Sequence, residues 1–244
     1  MRTSIEGLNA VVTGGGTGIG KALAARLAKL GADVTICGRN LERLKAVAEE
    51  LTAMSGCKDV SAWQLDVCDE KSVSALMRHM DEKGGIDILV NNAGTLVNSP
   101  LAETSTEAFD RIMATNVRGP FLMCRHALPQ LRRSDAATIV NICSAAAHGA
   151  YVGQSIYGAS KAALLGMSKV LAREELDAGV RVHVLSPGGV ATEMIKAARP
   201  DLAGTAMIEP EDLADALEYL LTHRTGAVVD EIQMHRSTKA PWPN

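Results

Sequence analysis

The stretch Thr13-Gly-Gly-Gly-Thr-Gly-Ile-Gly20 decides the fold of this chain. It follows directly on a β-branched run, Asn9 to Thr13, and leads into an Ala- and Leu-rich segment that begins at Lys21. Glycine permits a tight turn, and the N-terminus of a helix presents backbone N–H groups to an anion. A glycine-rich turn between a strand and a helix therefore predicts a phosphate-binding site, although a simple glycine hinge is the alternative interpretation.

Short β-branched runs alternate with longer helical stretches along the whole chain, which is typical of a parallel sheet wound with helices. We therefore expect one α/β domain over residues 1–244, with a doubly wound Rossmann-type fold. Its seven-stranded sheet should be mainly parallel and have helices on both faces. The predicted strands are Asn9–Thr13, Asp33–Cys37, Val60–Leu65, Ile86–Val90, Ala137–Ile142, Arg181–Leu185 and Ala227–Gln233.

Charge and cysteine content exclude several classes of function. The net charge is -3 without long runs of one sign, which argues against a nucleic-acid surface or a membrane anchor. No apolar run approaches the ~18 residues that a membrane span needs, and Met1 to Gly7 contains no signal region. The five cysteines form no Cys-x-x-Cys pair, so we expect no disulfide framework and no metal site. A cytoplasmic protein that acts on a small molecule fits best.

Tyr157-Gly-Ala-Ser-Lys161 places a phenol and an ammonium four residues apart on a predicted helix. At that spacing both side chains point the same way. A phenol normally titrates near ~10, and a nearby ammonium favours its ionised form. The pair could perform acid/base chemistry on a carbonyl or an alcohol. Taken alone, it is also an ordinary helix-surface pair.

The combination of Thr-Gly-x-x-x-Gly-x-Gly near the N-terminus with Tyr-x-x-x-Lys resembles the short-chain dehydrogenase/reductase family, and in particular its 3-ketoacyl reductase-like branch. Further motifs match in the expected order between residues 13 and 192. They are Asn91-Asn-Ala-Gly94, Asn116, Ser144 thirteen positions before Tyr157, and Pro187-Gly188 with Thr192.

The resemblance implies a nicotinamide cofactor. Asp66-Val67 is similar to the family's adenine-binding pair, although Asp66 could instead cap the next helix, a role that Asp69 fills more naturally. The implied cofactor-binding residues are Gly14, Gly18, Ile19, Gly20, Arg39, Asp66, Val67, Asn92, Ala93, Gly94, Tyr157, Lys161, Pro187, Gly188, Val190 and Thr192.

The end of the second strand indicates which nicotinamide is preferred. Enzymes that use NAD place an acidic residue there to bind the ribose hydroxyls, whereas this chain has Gly38 followed by Arg39. A guanidinium can bind a 2′-phosphate bidentately. We therefore expect NADP(H), the alternative being that Arg39 only caps the turn and faces solvent.

The resemblance also assigns catalytic roles. Tyr157 is implied to donate the proton in reduction, while Lys161 hydrogen-bonds the nicotinamide ribose and lowers the pKa of the tyrosine. Ser144 is implied to donate a hydrogen bond to the substrate oxygen. Asn116 is implied to hold a helix distortion and a water that passes protons to Lys161.

Substrate recognition is expected in two places. His148, Tyr151 and Gln154 lie in a stretch that commonly lines the substrate pocket in the family, and surface exposure is the equal alternative. The least regular segment, Ala197 to Pro210, belongs to a predicted substrate loop at about residues 192–210, which a plain surface loop would explain nearly as well.

The leading hypothesis is an NADPH-dependent carbonyl reductase that also works in reverse as an alcohol dehydrogenase. A 3-ketoacyl-carrier-protein reductase is a second hypothesis, because Arg118, Arg125, Arg132 and Arg133 could form a basic entrance. A non-catalytic NADP-binding sensor or scaffold is a third.

The resemblance further implies a homo-oligomer, a dimer or homotetramer. The end of the chain, Lys239 to Asn244, is expected to be a loose tail unless Trp242 anchors it to a neighbouring subunit.

Overall fold

A single sheet of seven parallel strands runs through the part of the chain that the structure describes, residues 3–54, 60–202 and 204–239 of a computed structural model. The spatial order, by position in the chain, is third, second, first, fourth, fifth, sixth and seventh. The strands are β1 (Asn9–Thr13), β2 (Asp33–Gly38), β3 (Val60–Gln64), β4 (Ile88–Asn91), β5 (Thr138–Ile142), β6 (Arg181–Pro187) and β7 (Glu231–Met234).

Helices cover both faces of this sheet, as the sequence predicts. They are α1 (Gly18–Lys29), α2 (Leu41–Ala53), α3 (Glu70–Glu82), α4 (Thr106–Met113), α5 (Gly119–Leu131), α6 (Ser155–Glu174), α7 (Glu193–Ala198) and α8 (Pro210–Thr222).

The period-two alternation of the strands divides the core into two main layers. Val12 of β1 packs in the layer that holds Leu23 of α1 and Leu217 of α8. The preceding Val11 points to the opposite face and packs with Met80 of α3 and Met123 of α5. Because both faces are buried, the central strands are apolar throughout.

The order of the strands reverses at β1, which lies between β2 and β4. At such a switch point the crossover connections leave in opposite directions, and a crevice opens at the carboxyl ends of the strands. The glycine-rich turn follows β1, and Ser144 lies two residues after β5. The fold therefore brings the main sequence motifs to one edge of the sheet.

The first strand has both of its predicted ends, whereas the other six differ from the prediction at one or both ends, and one loop differs as well. β4 begins at Ile88 instead of Ile86. The last strand was expected over Ala227–Gln233, but hydrogen bonding to β6 begins only at Asp230, whose carbonyl accepts from Val184 N. The expected irregular segment Ala197–Pro210 begins in α7 and contains a 3-10 turn at Pro200–Leu202.

Four cysteines in the described ranges, Cys37, Cys68, Cys124 and Cys143, are free thiols. Cys57 and Trp242, together with most of the C-terminal tail, lie outside the described residues. Within those ranges, no helix has the length and apolar character needed to cross a membrane.

Candidate active site

A cavity of about 620 Å³ lies at the carboxyl edge of the sheet. Nearly every residue that the sequence motifs single out lines it, from Gly14 at one end to Tyr157 and Thr192. Two expected site residues do not. Gly20 packs against the backbone of Gly14, and Asn116 is completely buried behind the cavity wall. Gly20 and Asn116 therefore support the walls of the cavity and do not line it.

The glycine-rich turn requires glycine at specific positions. Gly14 and Gly18 have φ angles of +67° and +48°, which L side chains rarely adopt. A Cβ atom on Gly20 would lie 2.2 Å from the carbonyl oxygen of Gly14. These close approaches let the backbone form a concave surface at the start of α1.

The turn is locked to the segment that follows β4. The hydroxyl of Thr13 accepts hydrogen bonds from the backbone N–H groups of Asn92 and Ala93, both at 3.0 Å. The side-chain amide of Asn92 donates to the carbonyl oxygens of Thr13 and Gly14 at 3.0 and 3.2 Å. The Asn-Asn-Ala-Gly motif thus fixes the shape of the glycine turn.

The N-terminus of α1 is suited to an anion. Its N-cap residue, Thr17, makes no side-chain cap hydrogen bond, and the first turn contains no acidic residue. The leading N–H groups and the positive end of the helix dipole therefore remain available to a phosphate. Together with the glycine cradle, they fit the pyrophosphate of a dinucleotide.

Arg39 lies at the rim of the same cavity, beside Gly38. Its side chain is exposed and makes no ion pair with any residue in the described ranges. A second cation, Arg43 on the first turn of α2, lies close to the glycine turn. If Gly16 carried a Cβ, that atom would lie 3.7 Å from the Cδ of Arg43. Sequence motifs did not indicate Arg43.

Asp66 and Val67 line the cavity beyond β3. The carboxylate of Asp66 accepts from the backbone N–H of Cys68 at 2.9 Å, while Asp69 is the N-cap of α3 and accepts from Lys71 N at 3.0 Å. Asp66 is therefore not the cap of this helix, and its carboxylate lies at the cavity.

Tyr157 and Lys161 share one face of α6, and Ser144 lies opposite them after β5. The buried ammonium of Lys161 donates to the carbonyl oxygen of Ile142 at 2.8 Å, and its nitrogen lies 5.9 Å from the centre of the Tyr157 ring. The Ser144 hydroxyl lies near enough to the phenol of Tyr157 to lower the pKa of that phenol in part. All three side chains reach the same cavity.

The pKa of Tyr157 differs from the expectation that Lys161 lowers it. Burial raises this pKa to about 12, the neighbouring Ser144 hydroxyl lowers it in part, and the nearby Cys143 thiol raises it further. Burial also lowers the pKa of Lys161. Desolvation opposes both charged forms, so burial favours the protonated phenol at neutral pH.

Asn116 lies in a π-helical turn, Ala114–Arg118, between α4 and α5. Its side chain accepts from Thr95 N at 2.8 Å and donates to Thr95 O at 2.9 Å. The same amide donates to the hydroxyl of Ser160, a buried residue of α6 that sequence reasoning missed. The expected helix distortion is therefore present. A hydrogen bond joins it to α6, the helix that contains Tyr157.

The three residues expected to shape the substrate pocket do not line the cavity. His148 binds Glu231, Tyr151 is exposed, and Gln154 precedes α6 without facing the cavity. The substrate loop instead reaches the cavity through Glu193, Met194 and Ile195, in the first turn of α7. This helix was not predicted from the sequence.

Arg111 also lines the cavity, one helical turn before Thr115. No motif marks this residue, because only the packing of α4 against the site brings it to the rim.

No cluster of three or more metal-ligating side chains occurs within residues 3–54, 60–202 and 204–239. His183 is a core residue whose Nδ1 donates to Val229 O at 2.7 Å.

Comparison with known proteins gives one consistent result. Residues 8–203 match the family model described as short chain dehydrogenase. An uncharacterized oxidoreductase of Staphylococcus aureus (strain USA300) is 34% identical over 224 residues, which cover 91% of this chain and 94% of the relative.

Solved structures share the fold over nearly the full length. A short-chain type dehydrogenase/reductase from Mycobacterium marinum has a TM-score of 0.87 and 30% identity, covering 96% of this chain and 95% of that one. A metagenomic short-chain oxidoreductase in complex with NADP has a TM-score of 0.83 and 30% identity, with coverage of 97% and 100%. An alcohol dehydrogenase from Thermococcus sibiricus, complexed with 5-hydroxy-NADP, has a TM-score of 0.88 and 27% identity, with coverage of 97% and 99%.

Proposed function

This chain belongs to the short-chain dehydrogenase family, and we propose that it is an NADPH-dependent oxidoreductase that reduces a ketone or 3-keto group to an alcohol, reversibly. The observation that carries this proposal is the convergence of Ser144, Tyr157 and Lys161 on the cavity that the glycine-rich turn also lines. A nucleotide held by the turn would extend into the part of the cavity that these three side chains line.

The nicotinamide, when bound, supplies the hydride in reduction and accepts it in oxidation. The phenol of Tyr157, kept protonated by burial, donates its proton to the carbonyl oxygen. Ser144 donates a hydrogen bond to the same oxygen, and the ammonium of Lys161 adds positive charge beside the developing negative charge. In the reverse direction Tyr157 accepts the proton of the alcohol.

NADP(H) is the preferred cofactor in this proposal. Arg39 at the cavity rim supplies a cation for the 2′-phosphate, and Gly38 leaves no carboxylate to repel it. Two similar solved structures contain NADP or a derivative of it. The cavity therefore suits the phosphorylated cofactor in shape and charge.

A carrier protein as substrate has less support. An acidic carrier needs a basic docking surface, but each of the four candidate arginines has an internal partner. The partners are the carbonyl of Cys68 for Arg118, Glu70 for Arg125, Glu175 for Arg132 and Asp81 for Arg133.

The proposal includes a cytoplasmic homo-oligomer. Phe109, Phe121 and Val170, on α4, α5 and α6, leave large apolar side chains exposed, which favours an interface between copies of the chain. Light scattering on the purified protein, with Phe121→Asp as the comparison, would give the mass of a dimer or tetramer and a smaller species for the variant.

The test of function is the oxidation of NADPH and of NADH, followed by absorbance, with small ketones, aldehydes, 3-ketoesters and 3-ketoacyl thioesters. We expect turnover with NADPH that Tyr157→Phe abolishes while NADPH binding remains. Saturable NADPH binding without turnover on any carbonyl would favour the sensor or scaffold hypothesis instead.

A further inference from the structure

His148 and Glu231 form a linked pair beside the active site. Nε2 of His148 lies 2.6 Å from Oε1 of Glu231, and the two side chains are 27% and 18% exposed. Neither lines the cavity. His148 ends the short 3-10 turn that begins after Ser144, and Glu231 is the first residue of β7. The pair therefore ties the turn that carries the catalytic serine to the sheet.

The turn between Ser144 and His148 is short and internally bonded. The hydroxyl of Ser144 accepts from Ala146 N at 3.1 Å, and its carbonyl oxygen accepts from Ala147 N at 2.9 Å. At the other end, His148 N donates to Ala145 O at 3.1 Å. With these bonds in place, a displacement of His148 is transmitted to Ser144.

The carboxylate of Glu231 is itself held in place. In the sheet register, Glu231 pairs with Val184 of β6. The hydroxyl of Ser186, two residues further along β6, donates to Oε1 of Glu231 at 2.5 Å. A carboxylate fixed by a strand and by a second donor is a firm anchor for the imidazole.

We propose that His148, held by Glu231, is a positioning residue that keeps the Ser144 hydroxyl against the phenol of Tyr157. The inference rests on the proposed function, in which Ser144 and Tyr157 act together on the substrate oxygen. Without the imidazole, the far end of the turn loses its link to β7, and the Ser144 hydroxyl moves away from the phenol.

Fluorine NMR of the protein labelled with meta-fluorotyrosine tests this without a substrate. The chain has 3 tyrosines, and the Tyr157→Phe variant identifies the resonance of Tyr157. Ser144→Ala defines the shift that follows loss of the serine hydroxyl. We expect His148→Ala to move the Tyr157 resonance in the same direction, and His148→Gln to stay near wild type, because its amide can still donate to Glu231.

The chain provides a matched control. His126 pairs with Glu70 at 3.0 Å, and its side chain is 26% exposed, but the pair joins α5 to α3. His126→Ala therefore removes a similar imidazole–carboxylate contact away from Ser144, and we expect no shift of the Tyr157 resonance. A Tyr157 resonance unchanged in His148→Ala would overturn the inference.

Kinetics with the most active carbonyl of the panel give a second test. A misplaced catalytic group commonly costs one to two orders of magnitude in rate, so we expect His148→Ala to lower kcat about 10-fold and to leave the Kd for NADPH unchanged. In a Ser144→Ala background the same substitution should have little further effect. If the kcat reductions of the two single variants multiply in the double variant, His148 acts independently of Ser144. Failure of the proposed function would be seen separately, as undiminished turnover in Tyr157→Phe.

Discussion

The side-chain amide of Asn116 donates a hydrogen bond of 3.0 Å to the hydroxyl of Ser160. Ser160 in turn donates to the backbone carbonyl of Tyr157 at 2.7 Å. Both side chains are completely buried. This contact joins the π-helical turn to α6, between Tyr157 and Lys161, and so sets the position of α6 relative to Asn116.

Ser160→Ala removes that connection and leaves one N–H of Asn116 without its acceptor. A buried donor that loses its partner costs about 1–3 kcal/mol, so we expect the free energy of unfolding in urea to fall by this amount. Turnover should fall as well, because α6 is less firmly held. Ser74→Ala, at a serine on α3 that accepts a hydrogen bond from Arg78, should change stability by less than about 0.5 kcal/mol. Equal effects of the two substitutions would contradict this account.

Lys161→Met is expected to abolish turnover but to stabilise the fold. Burial lowers the pKa of Lys161, so keeping its ammonium charged inside the protein costs stability at neutral pH. An apolar side chain of similar size should raise the free energy of unfolding by about 1 kcal/mol at pH 7. Urea unfolding at pH 7 measures this change in the free energy of unfolding. Lys169→Met, at an exposed lysine of α6, is the control.

The pH dependence of this gain has a defined sign. Because the pKa is lower in the folded state, the wild-type protein gains stability as the pH rises toward the ordinary lysine value of 10.5. The methionine variant lacks this gain. The advantage of Lys161→Met should therefore shrink between pH 7 and pH 10, and an advantage that grows with pH would refute the explanation.

Arg39→Ala should weaken NADPH binding by roughly 10- to 150-fold and leave NADH binding nearly unchanged. The lost interaction is a charge-assisted contact with the 2′-phosphate, worth roughly 1.5–3 kcal/mol. Calorimetry with both cofactors measures this selectivity, and Arg78→Ala, at an exposed residue of α3 that does not line the cavity, serves as the control for loss of a surface charge.

Gly38→Asp tests the same preference in the opposite direction. Among the described residues, a Cβ on Gly38 would meet the Leu44 methyl groups, at 3.8 Å, so the Cβ of the introduced aspartate fits without strain. The new carboxylate should repel the 2′-phosphate and accept from the ribose hydroxyls of NADH. Unchanged selectivity in both variants would mean that Arg39 faces solvent.

Gly20→Ala should strongly weaken cofactor binding. Its Cβ would lie 2.2 Å from Gly14 O and 2.5 Å from Asn92 Nδ2, so the glycine turn cannot keep its shape. We expect NADPH affinity to fall by more than about 10-fold, and stability by roughly 1–3 kcal/mol. Gly16→Ala, with its nearest contact at 3.4 Å to Leu44, should bind NADPH normally.

The sequence was sufficient for the architecture because the fold is encoded locally. The alternation of β-branched runs with helical stretches predicted every strand. The errors were in the residues at which the strands begin and end. Ala227 and Val228 have strand-like composition, yet the β6 ladder pairs only from Asp230 onward. Pairing partners, which the local sequence does not contain, decide where an edge strand begins.

The site was only partly predictable for a similar reason. Motif order brought Ser144, Tyr157 and Lys161 together, but the partnership of His148 with Glu231 spans 83 residues and two elements. The raised pKa of Tyr157 was missed because it comes from burial, which outweighs the charge of the lysine that the spacing emphasises. Long-range contacts and desolvation appear only once the chain is folded.

The most direct test of the account follows deuterium from NADPH that carries two deuterium atoms at the nicotinamide C4 into the alcohol product. Mass spectrometry of products from the carbonyl panel should show one deuterium at the new carbinol carbon with the wild-type protein, and none with Tyr157→Phe. Saturable binding of the labelled cofactor without deuterium in any product, or labelled product in equal yield from Tyr157→Phe, would contradict tyrosine-dependent carbonyl reduction by this chain.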